Sequence, residues 1–479
     1  MNLHFVYPDV ETAAAHDIQI GIASISAVLK SGGHRVSLSH ITKFGSKSEI
    51  IREMKKYSPD VFCFSSTTNQ FPFVKQISRW IKEEFDAPII VGGIHATLSP
   101  QEVISCKSID VVCIGEGEYP LLELVNNIDD GKPIDKIKNL WVKKGLNIIE
   151  NPVRPLISNL DSLPFPDYEL FDIQRVLKET EGRISILVGR GCPYTCTYCC
   201  NHALRKIYEG KGSYVRYRSV DNVFQQIEYL KNRYAISRID FSDDTFTLSR
   251  NWIKEFTEKY SKRFGLGFTC NARIETINSE LLRMLKNANC QVINYGIESG
   301  NEWLRKEILK RGTASNQDII HVFKETRDTG IKTFSYNMIG LPFETHEMIE
   351  ETIALNRKIS PSYIMVFIFY PYPGTELWKI CRENNFLTGD FSTSYAKPGS
   401  MLNLPNWKKE EILKYYDKFN KIAMETWVKS DYPNLLPLYK MLTFALGGSR
   451  TREMLTKLKY NNSLRSIFRW GSKRESLLP

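Results

Sequence analysis

The sequence Gly191-Cys192-Pro193-Tyr194-Thr195-Cys196-Thr197-Tyr198-Cys199-Cys200-Asn201 holds four of the ten cysteines of this 479-residue chain. Its first three cysteines have the spacing C-x3-C-x2-C, so three thiolates of one short loop can ligate three irons of a four-iron, four-sulfur cluster. The remaining iron then has no protein ligand and is open to a small molecule. A structural zinc site needs a fourth ligand, which neither Cys200 nor His202 offers easily, and a chance group of core cysteines is the other alternative.

The composition limits the class of protein. Hydrophobic residues form 42% and charged residues 25% of the chain, which is ordinary for a globular protein and excludes disordered, collagen-like and coiled-coil chains. The net charge is +10, but residues 430–479 alone hold nine Lys and Arg against three Asp and Glu, so nucleic acid is not expected as a partner. Met1–Phe5 shows no basic or apolar leader, and the apolar run Tyr363–Tyr370 is too short to cross a membrane. We therefore expect a cytoplasmic protein with reduced cysteines.

Residues 1–145 alternate short apolar runs with amphipathic stretches. This pattern predicts five βα steps in a doubly wound, Rossmann-like parallel sheet. The candidate strands are Leu3–Tyr7, Val36–Ile41, Val61–Ser65, Pro88–Val91 and Val111–Gly115. Ser46 followed by Glu49 has the pattern of a capping box and predicts a helix start. Ligands of such sheets bind beyond the carboxyl ends of the strands, where this chain has small, polar and glycine residues.

Residues 146–182 are predicted as a linker because prolines interrupt regular structure there. From residue 183 the βα alternation restarts, and six βα units over residues 183–390 predict a partial (β/α)6 barrel. Its candidate strands are Ile184–Gly189, Arg238–Phe241, Phe268–Asn271, Val292–Ile297, Thr333–Met338 and Tyr363–Tyr370. Residues 391–479 predict a helical C-terminal region. Its candidate helices are Trp407–Trp427 and Leu435–Leu446.

The cysteine loop, following the first strand of this barrel, resembles that of the radical S-adenosylmethionine (SAM) enzyme family, and the resemblance covers about residues 183–385. It implies that Cys192, Cys196 and Cys199 hold a 4Fe-4S cluster whose open iron is chelated by the methionine amine and carboxylate of SAM. One electron then cleaves SAM to a 5′-deoxyadenosyl radical. Tyr198 is expected to lie beside the adenine.

Polar residues and glycine end the later barrel strands, where barrel enzymes place their chemistry. The resemblance implies that further cofactor contacts come from Asp243, Arg273, Glu298 and Gly340. Glu298 can accept hydrogen bonds from ribose hydroxyls or from the ammonium group, and Arg273 can bind a carboxylate. Each has a structural alternative, such as helix capping for Asp243, a rim salt bridge for Glu298 and a turn for Gly340.

An α/β domain before such a barrel resembles the cobalamin-dependent radical SAM subgroup. The matching segments are Gly21–Gly33, Ser65–Thr67, Val91–Thr97, Asp110–Glu118 and Leu163–Pro166. The resemblance implies that the nucleotide tail of cobalamin lies against these loops. The expected contacts are Ser65, Ser66, Thr67, Gly92, Gly93, Thr97 and Gly115. None of the eight histidines has an Asp two positions earlier, so cobalamin is expected base-off without a protein histidine ligand. A sheet that has lost its cofactor is the alternative.

For several residues near these loops, a structural role is favoured over a functional one. His16 and His95 are expected to be loop or surface histidines, and Cys63 and Cys113 to be core residues of strands. Glu116 and Glu118 would face the barrel mouth if the two domains stack strand end to strand end. The other interpretation is that they complement a helix N-terminus.

The resemblance implies an enzyme, a cobalamin-dependent methyltransferase that acts on an unactivated carbon of a biosynthetic intermediate, with catalytic residues that remain unknown. A radical cyclase or an oxidative rearrangement without methyl transfer keeps the same cofactors and is the alternative. Methylthiotransfer needs three N-terminal cluster cysteines, and two of the three available, Cys63 and Cys113, lie within predicted strands. A non-catalytic iron–sulfur sensor or electron carrier is the alternative of another class.

Three kinds of partner are considered. The substrate is expected to be a small or lipid-like molecule, and the cluster needs a reducing electron donor such as flavodoxin or ferredoxin. The basic C-terminus mixes Phe444, Phe468 and Trp470 with cationic residues, which is compatible with contact to an anionic membrane. A solvated helical cap is the favoured interpretation of that segment.

Overall fold

The computed structural model describes residues 1–10, 17–388, 399–405 and 407–446. The chain divides into two compact units. The first comprises Met1–Phe256, Ile308–Gly312 and Tyr370–Asn403, and the second comprises Thr257–Glu307, Thr313–Phe369 and Leu404–Pro479. The predicted domain boundaries after residues 145, 182 and 390 stay predictions. His16 and the basic segment from residue 447 onward lie outside the described residues.

The N-terminal part of the first unit is a sheet flanked by helices. The strands are β1 (Asn2–Pro8), β2 (Arg35–Ile41), β3 (Val61–Ser65), β4 (Ile89–Gly92), β5 (Val111–Cys113), β6 (Leu140–Lys144) and β7 (Asn147–Glu150). The helices are α1 (Ile20–Ser31), α2 (Lys47–Lys55), α3 (Phe71–Glu84), α4 (Ile94–Leu98), α5 (Pro100–Ser105) and α6 (Glu118–Asp129). Within the described residues the strand order is β2-β1-β3-β4-β5-β6-β7.

The five predicted strands are confirmed and run parallel. Because β1 lies between β2 and β3, the chain winds from the middle of the sheet in both directions, which is the doubly wound arrangement. The hairpin β6–β7 extends the sheet with antiparallel pairing and was not predicted. Gly145, with φ +62°, makes its tight turn. The segment 146–182, expected to be an irregular linker, therefore begins with β7.

Local sequence signals account for the ends of the helices that flank this sheet. The capping box of α2 is confirmed. The Ser46 hydroxyl oxygen accepts the N–H of Glu49, and the Glu49 carboxylate accepts the N–H of Ser46. Gly32 caps the end of α1, and its N–H donates to the carbonyl of Leu29. The core of β-branched and aromatic side chains includes Val6, Phe62, Val91, Val74 and Ile77.

The remaining elements alternate again. The strands are β8 (Arg183–Ile186), β9 (Gly189–Arg190), β10 (Arg216–Tyr217), β11 (Arg238–Phe241), β12 (Gly267–Ala272), β13 (Cys290–Glu298), β14 (Lys332–Ile339) and β15 (Tyr363–Ile368). The helices are α7 (Ile173–Glu179), α8 (Cys200–Ile207), α9 (Val220–Arg233), α10 (Arg250–Arg263), α11 (Ser279–Asn287), α12 (Asn316–Asp328), α13 (His346–Ile359), α14 (Glu376–Glu383), α15 (Lys409–Asp431) and α16 (Leu436–Leu446). Each predicted barrel strand is present. The first one is shorter than predicted, because β8 pairs with β11 and ends at Ile186, whereas the following β9 pairs with β10 instead.

In the first unit, β8 pairs in parallel with β11, and β9 pairs antiparallel with β10. The cysteine loop runs from the end of β9 to the start of α8, so a two-residue ladder fixes its entry and a helix fixes its exit. The linker packs onto this unit rather than hanging free. The Asp167 N–H donates to the carbonyl of Ala23 at 3.0 Å, and the carboxylate of Asp167 binds Lys30 at 2.7 Å.

In the second unit, β12, β13, β14 and β15 are parallel neighbours in that order. The described part of the C-terminal region contains the helices α15 and α16, as predicted, and α15 packs against β15. Lys332 binds Asp431 at 2.6 Å, and the Tyr363 hydroxyl donates to the same carboxylate at 3.0 Å, which ties the end of α15 to this sheet. Among the described helices, none has the length and hydropathy that crossing a bilayer requires.

Candidate cofactor sites

The cysteine loop is held by backbone hydrogen bonds at the residue between its second and third cysteines. The Thr197 N–H donates to the carbonyl of Leu309 at 3.0 Å, and the Leu377 N–H donates to the carbonyl of Thr197 at 2.8 Å. The Thr197 hydroxyl adds a bond to the carbonyl of Ile308 at 2.7 Å. These bonds use the backbone N–H and carbonyl and the short side chain of Thr197, so they hold the loop in place at this residue.

The three predicted ligand cysteines share one neighbourhood. All ten cysteines are free thiols, Cys192 and Cys196 are buried, and Cys199 is half-buried. No group of three or more His, Cys, Asp or Glu side chains in the described part of the chain is arranged to hold a metal ion. The three cysteines lie within eight residues of one loop, and burial, with smaller contributions from the charges of Cys199 and Cys196, raises the pKa of Cys192. Three such thiols on one loop are the donor set of an open cluster, so the residues fit it in the chemistry and spacing of their donors, and not through a preformed arrangement of the three sulfurs.

Asn201 and Tyr214 support Cys199, and the sequence analysis missed both. The side-chain amide of Asn201 donates to the Cys199 sulfur at 3.8 Å, and the Tyr214 hydroxyl donates to the side-chain Oδ1 of Asn201 at 2.9 Å. Hydrogen bonds from the Cys200 thiol and from the Asn201 N–H lower the pKa of Cys199. Donors aimed at a cysteine sulfur stabilise the thiolate form that binds iron. The position of Asn201, two residues after Cys199, was the available signal.

Asp243 holds the backbone that leads into the loop. Its carboxylate accepts the N–H of Gly189 at 2.7 Å and that of Val188 at 3.0 Å. Burial raises the pKa of Asp243 to about 7, against the effect of these two N–H groups. The neighbouring Asp244 is exposed to solvent and accepts a hydrogen bond from Asn201. The predicted cofactor contact of Asp243 stays a prediction, as does that of the half-buried Tyr198.

The loops that follow β3, β4 and β5 are joined to one another. The Ser66 N–H donates to the carbonyl of Gly92 at 3.1 Å. The Thr97 hydroxyl donates to the carbonyl of Gly93 and accepts the N–H of Gly115, both at 2.9 Å. The expected cobalamin residues on these three loops therefore form one surface at the carboxyl edge of the sheet.

The loop after β3 offers polar atoms that no protein group uses. Within the described residues, the Ser66 hydroxyl and both amide atoms of Asn69 are buried without a hydrogen-bond partner. Buried polar groups are normally satisfied, so these atoms suit a polar ligand such as a nucleotide tail. Thr67 instead donates its N–H and hydroxyl to Gln70 at the start of α3, at 3.0 and 3.2 Å. Ser65 lies directly beside Gly93.

A substitution at Gly93 tests this surface. A Cβ at Gly93 would lie 2.6 Å from the Ser66 nitrogen, and its φ of +91° already disfavours other residues. We expect Gly93→Ala to lower the free energy of unfolding by more than the ~1–2 kcal/mol of a left-handed alanine. Gly33→Ala is the matched control, since φ is +87° and nothing lies within 4 Å. Urea denaturation measures both, and equal losses would contradict the close contact with Ser66.

His95, expected to be a loop or surface histidine, is buried within helix α4, and this prediction is wrong. Its Nδ1 lies 3.2 Å from the Thr68 hydroxyl, and its ring packs against Phe71 at 4.4 Å between centroids. Its Nε2 lies 3.5 Å from the Glu102 carboxylate. Cys63 and Cys113 are buried in β3 and β5 as predicted.

Glu116 and Glu118 are ion-paired to arginines beside the cysteine loop. Arg190, the last residue of β9, binds Glu116 at 2.8 Å and Glu118 at 2.5 Å. Arg216, on β10, binds Glu116 at 3.0 Å and donates to the carbonyl of Ile157 at 2.8 Å. These carboxylates therefore connect the sheet to the strand that leads into the cysteines. Glu118 is also the first residue of α6, so its charge lies at a helix N-terminus, as the other interpretation expected.

Tyr208 makes a second connection between the same two parts of the first unit. It follows α8 directly, and its hydroxyl accepts the N–H of Glu116 at 2.8 Å. A Cβ at Gly115 would lie 1.7 Å from this hydroxyl, so only glycine fits under Tyr208. Helix α8, which starts directly after the third cysteine, thus ends against the loop after β5.

The second unit contains the other three predicted residues. Arg273 is buried and its guanidinium lies 3.3 Å from both oxygens of Glu275, so the carboxylate it meets is a protein one. Glu298 ends β13 with φ +65°, at a shift in the register with β14. A left-handed backbone is unusual for glutamate and is often found at functional positions. The cofactor roles of Arg273 and Glu298 stay predictions.

Gly340 needs glycine for its backbone, since φ is +73° and a Cβ would lie against Ile412 at 3.4 Å. Its N–H and that of Leu341 donate to one oxygen of Glu344, at 2.6 and 3.1 Å. The other oxygen of Glu344 has no partner among the described residues. The glycine is therefore explained by a turn around a buried carboxyl group, and its predicted contact with adenine stays a prediction.

The buried Glu344 predicts a pH effect on stability. Burial raises the pKa of Glu344 from 4.5 to about 8. Between these values the folded protein keeps a proton that the unfolded chain releases, so stability falls as the pH rises. We expect Glu344→Gln, which cannot titrate, to gain stability relative to the unchanged protein from pH 4.5 toward pH 8. Urea denaturation across this range gives the difference, and parallel curves would contradict the prediction.

Comparison with known proteins now adds the family. Residues 10–125 match the family model of the B12 binding domain, and residues 186–355 match that of the radical SAM superfamily. The chain belongs to the radical SAM enzymes that carry a B12-binding domain. The fold class is confirmed as an N-terminal B12-binding domain, a radical SAM half-barrel of parallel strands and a helical C-terminal region.

Individual relatives have different activities. An uncharacterized methyltransferase of Pyrococcus horikoshii is 28% identical over 430 residues, which are 87% of this chain and 91% of the relative. The anaerobic magnesium-protoporphyrin IX monomethyl ester cyclase of Rubrivivax gelatinosus is 24% identical over 84% of this chain and 74% of its own. The structure of the methyltransferase TsrM from Kitasatospora setae, with cobalamin and a 4Fe-4S cluster bound, has a TM-score of 0.66 at 18% identity. It covers 80% of this chain and 75% of that one, which shows the fold.

Proposed function

We propose that this protein is a cobalamin-dependent radical SAM methyltransferase acting on an unactivated carbon of a small or lipid-like biosynthetic intermediate. The observation that carries the proposal is the contact between the two candidate cofactor sites inside the first unit. Tyr208, at the end of the helix that starts from the cysteines, binds Glu116 and covers Gly115 on the cobalamin-type loops. A reaction that uses two cofactors on one substrate requires both of them in one site.

The residues of the chain divide the binding tasks. Cys192, Cys196 and Cys199 would hold the cluster with SAM on its open iron, and the loops after β3, β4 and β5 would hold cobalamin. When bound, the cluster supplies an electron to SAM and cobalamin supplies a methyl group. Asn201 donates to the Cys199 sulfur and keeps it available as a thiolate. The ten free thiols suit a reducing cytoplasm.

Cobalamin is proposed to bind base-off without a histidine from the protein. His95 is the histidine closest in sequence to the loop residues Gly92 and Gly93; its Nδ1 lies 3.2 Å from the Thr68 hydroxyl and its Nε2 lies 3.5 Å from the Glu102 carboxylate. Turning it toward a ligand would break both contacts. A spectrum of the cobalamin-loaded protein checks this, because imidazole coordination changes the cobalt absorption.

A radical cyclase without methyl transfer is the second candidate, since the cyclase of Rubrivivax gelatinosus matches 84% of this chain. A passive iron–sulfur sensor explains neither the loops that fit a second cofactor nor the enzyme relatives. The two enzyme candidates differ in the fate of the methyl group of SAM, so one labelling experiment separates them.

The test uses deuterated methyl SAM. The reconstituted, reduced and cobalamin-loaded protein is incubated without oxygen with a small-molecule extract of its source cells. We expect a compound that gains an intact deuterated methyl group, and none with Cys196→Ala. A product that forms with the unchanged protein and carries no label would reject methyl transfer in favour of the cyclase.

A further inference from the structure

We infer that α8, Ile308–Gly312 and α14 form a docking face for an acidic protein that carries a low-potential electron. This inference rests on the proposed cluster. The six cationic residues of these segments, together called the basic face, are Arg205, Lys206, Lys310, Arg311, Lys379 and Arg382. The same segments contain two acidic residues, Glu376 and Glu383.

Glu376 holds the three segments of the basic face together. Its carboxylate lies 3.0 Å from the His202 ring on α8 and 2.8 Å from the Lys310 ammonium. One carboxylate at the start of α14 therefore contacts both of the other segments. Lys206 lies four residues after His202 on α8 and therefore on the same side of the helix, close to this junction.

The cations of the basic face point to solvent around this junction. Lys206, Lys310, Lys379 and Arg382 are exposed. Arg382 stacks on the Trp378 ring, with its guanidinium carbon 4.9 Å from the centroid, so its charge has a fixed position. Lys379 is only loosely compensated, because Glu383 lies 3.8 Å away and is itself exposed.

The basic face adjoins the cysteine loop through the main chain. The carbonyl of Leu309 and the N–H of Leu377 bond to Thr197, between Cys196 and Cys199. Arg205 donates to the carbonyl of Pro193, between Cys192 and Cys196. A protein bound here would therefore stand beside the loop that holds the cluster.

The charge and the position together define the partner. The cluster must gain one electron in each turnover, and the donor loses that electron and is oxidised by one equivalent. Transfer over a short distance requires contact near the cysteine loop. A positive patch attracts an acidic partner and raises the rate of encounter, an effect that salt screens. An acidic flavin or iron–sulfur carrier protein meets all three requirements.

The test compares charge reversal on the basic face with charge reversal elsewhere. Lys206→Glu with Arg382→Glu changes two exposed cations of the face, and Lys107→Glu with Lys136→Glu changes two exposed lysines outside these segments. Reduced bacterial flavodoxin is mixed with the reconstituted protein, and bleaching of the iron–sulfur absorbance gives the rate of cluster reduction. Excess dithionite, a small reductant that needs no docking, measures the reducible cluster in each protein.

We expect the variant of the basic face to be reduced by flavodoxin about 10-fold more slowly at low ionic strength. Salt should slow the unchanged protein, and the control pair should match it. Equal rates for both pairs, with full reduction by dithionite, would overturn the docking face and leave the proposed function intact. If dithionite reduces no cluster in the unchanged protein, the proposed function itself fails. Lys206→Gln with Arg382→Gln should give an intermediate rate, which separates loss of charge from misfolding.

Discussion

Cys196→Ala should remove the iron–sulfur absorbance of the reconstituted protein and reduce its iron content from about four per chain to background. Cys196 is the middle of the three predicted ligands and is buried. With only two cysteine ligands, a second iron of the cluster has no protein ligand, and we expect the cluster not to be retained. Iron analysis and the visible spectrum of the anaerobically reconstituted variant measure this effect. Cys192→Ala and Cys199→Ala should behave in the same way.

Cys200→Ala is the matched control. Cys200 is the direct neighbour of Cys199, is half-buried and is a free thiol, so it resembles a ligand in everything but spacing. We expect its variant to keep the full iron content and absorbance. Loss of the cluster in Cys200→Ala, or its retention in Cys196→Ala, would show that the ligands are assigned to the wrong cysteines.

Arg190→Ala should be the most destabilising charge removal in the first unit. The Arg190 guanidinium is the partner of both Glu116 and Glu118, and the Glu118 side chain is 5% exposed. Removing one member of a buried ion pair leaves an uncompensated charge and costs about 3 kcal/mol or more. Because Arg190 precedes Gly191 and Cys192, we also expect weaker incorporation of the cluster. Urea denaturation and iron analysis of the same preparation measure the two effects.

Two variants make the Arg190 result specific. Lys55→Ala breaks an exposed pair with Glu84 in the same unit and should cost below about 1 kcal/mol. Arg190→Met combined with Glu118→Gln removes the cation together with the buried charge and should recover part of the stability. If Arg190→Ala costs no more than Lys55→Ala, the ion pairs do not connect the sheet to the cysteine strand as described.

The parts of the fold that sequence could predict depend on local patterns. The five parallel strands of the first sheet are short apolar runs, and the capping box from Ser46 to Glu49 spans four residues, so each signal lies within one element. The C-x3-C-x2-C spacing is local in the same sense. The hairpin β6–β7 escaped prediction because its strands, Leu140–Lys144 and Asn147–Glu150, mix apolar and charged residues.

The parts that could not be predicted depend on contacts between distant residues. Glu116 is separated by 74 residues from Arg190 and by 100 from Arg216, and no local sequence pattern predicts either ion pair. Tyr208 over Gly115 is of the same kind. His95 was misplaced because a polar residue beside glycines suggests a surface loop, whereas Phe71 supplies an aromatic surface that only the folded chain brings near.

The central claim is that this chain uses SAM in two ways, as a source of radicals and as a source of methyl groups. The most direct measurement is the yield of 5′-deoxyadenosine and of S-adenosylhomocysteine from SAM, made by the reduced, cluster-loaded protein with and without cobalamin. We predict 5′-deoxyadenosine in both samples and S-adenosylhomocysteine only in the sample with cobalamin, with neither product from Cys196→Ala. Formation of S-adenosylhomocysteine that does not depend on cobalamin, or the absence of 5′-deoxyadenosine from both samples, would contradict the account.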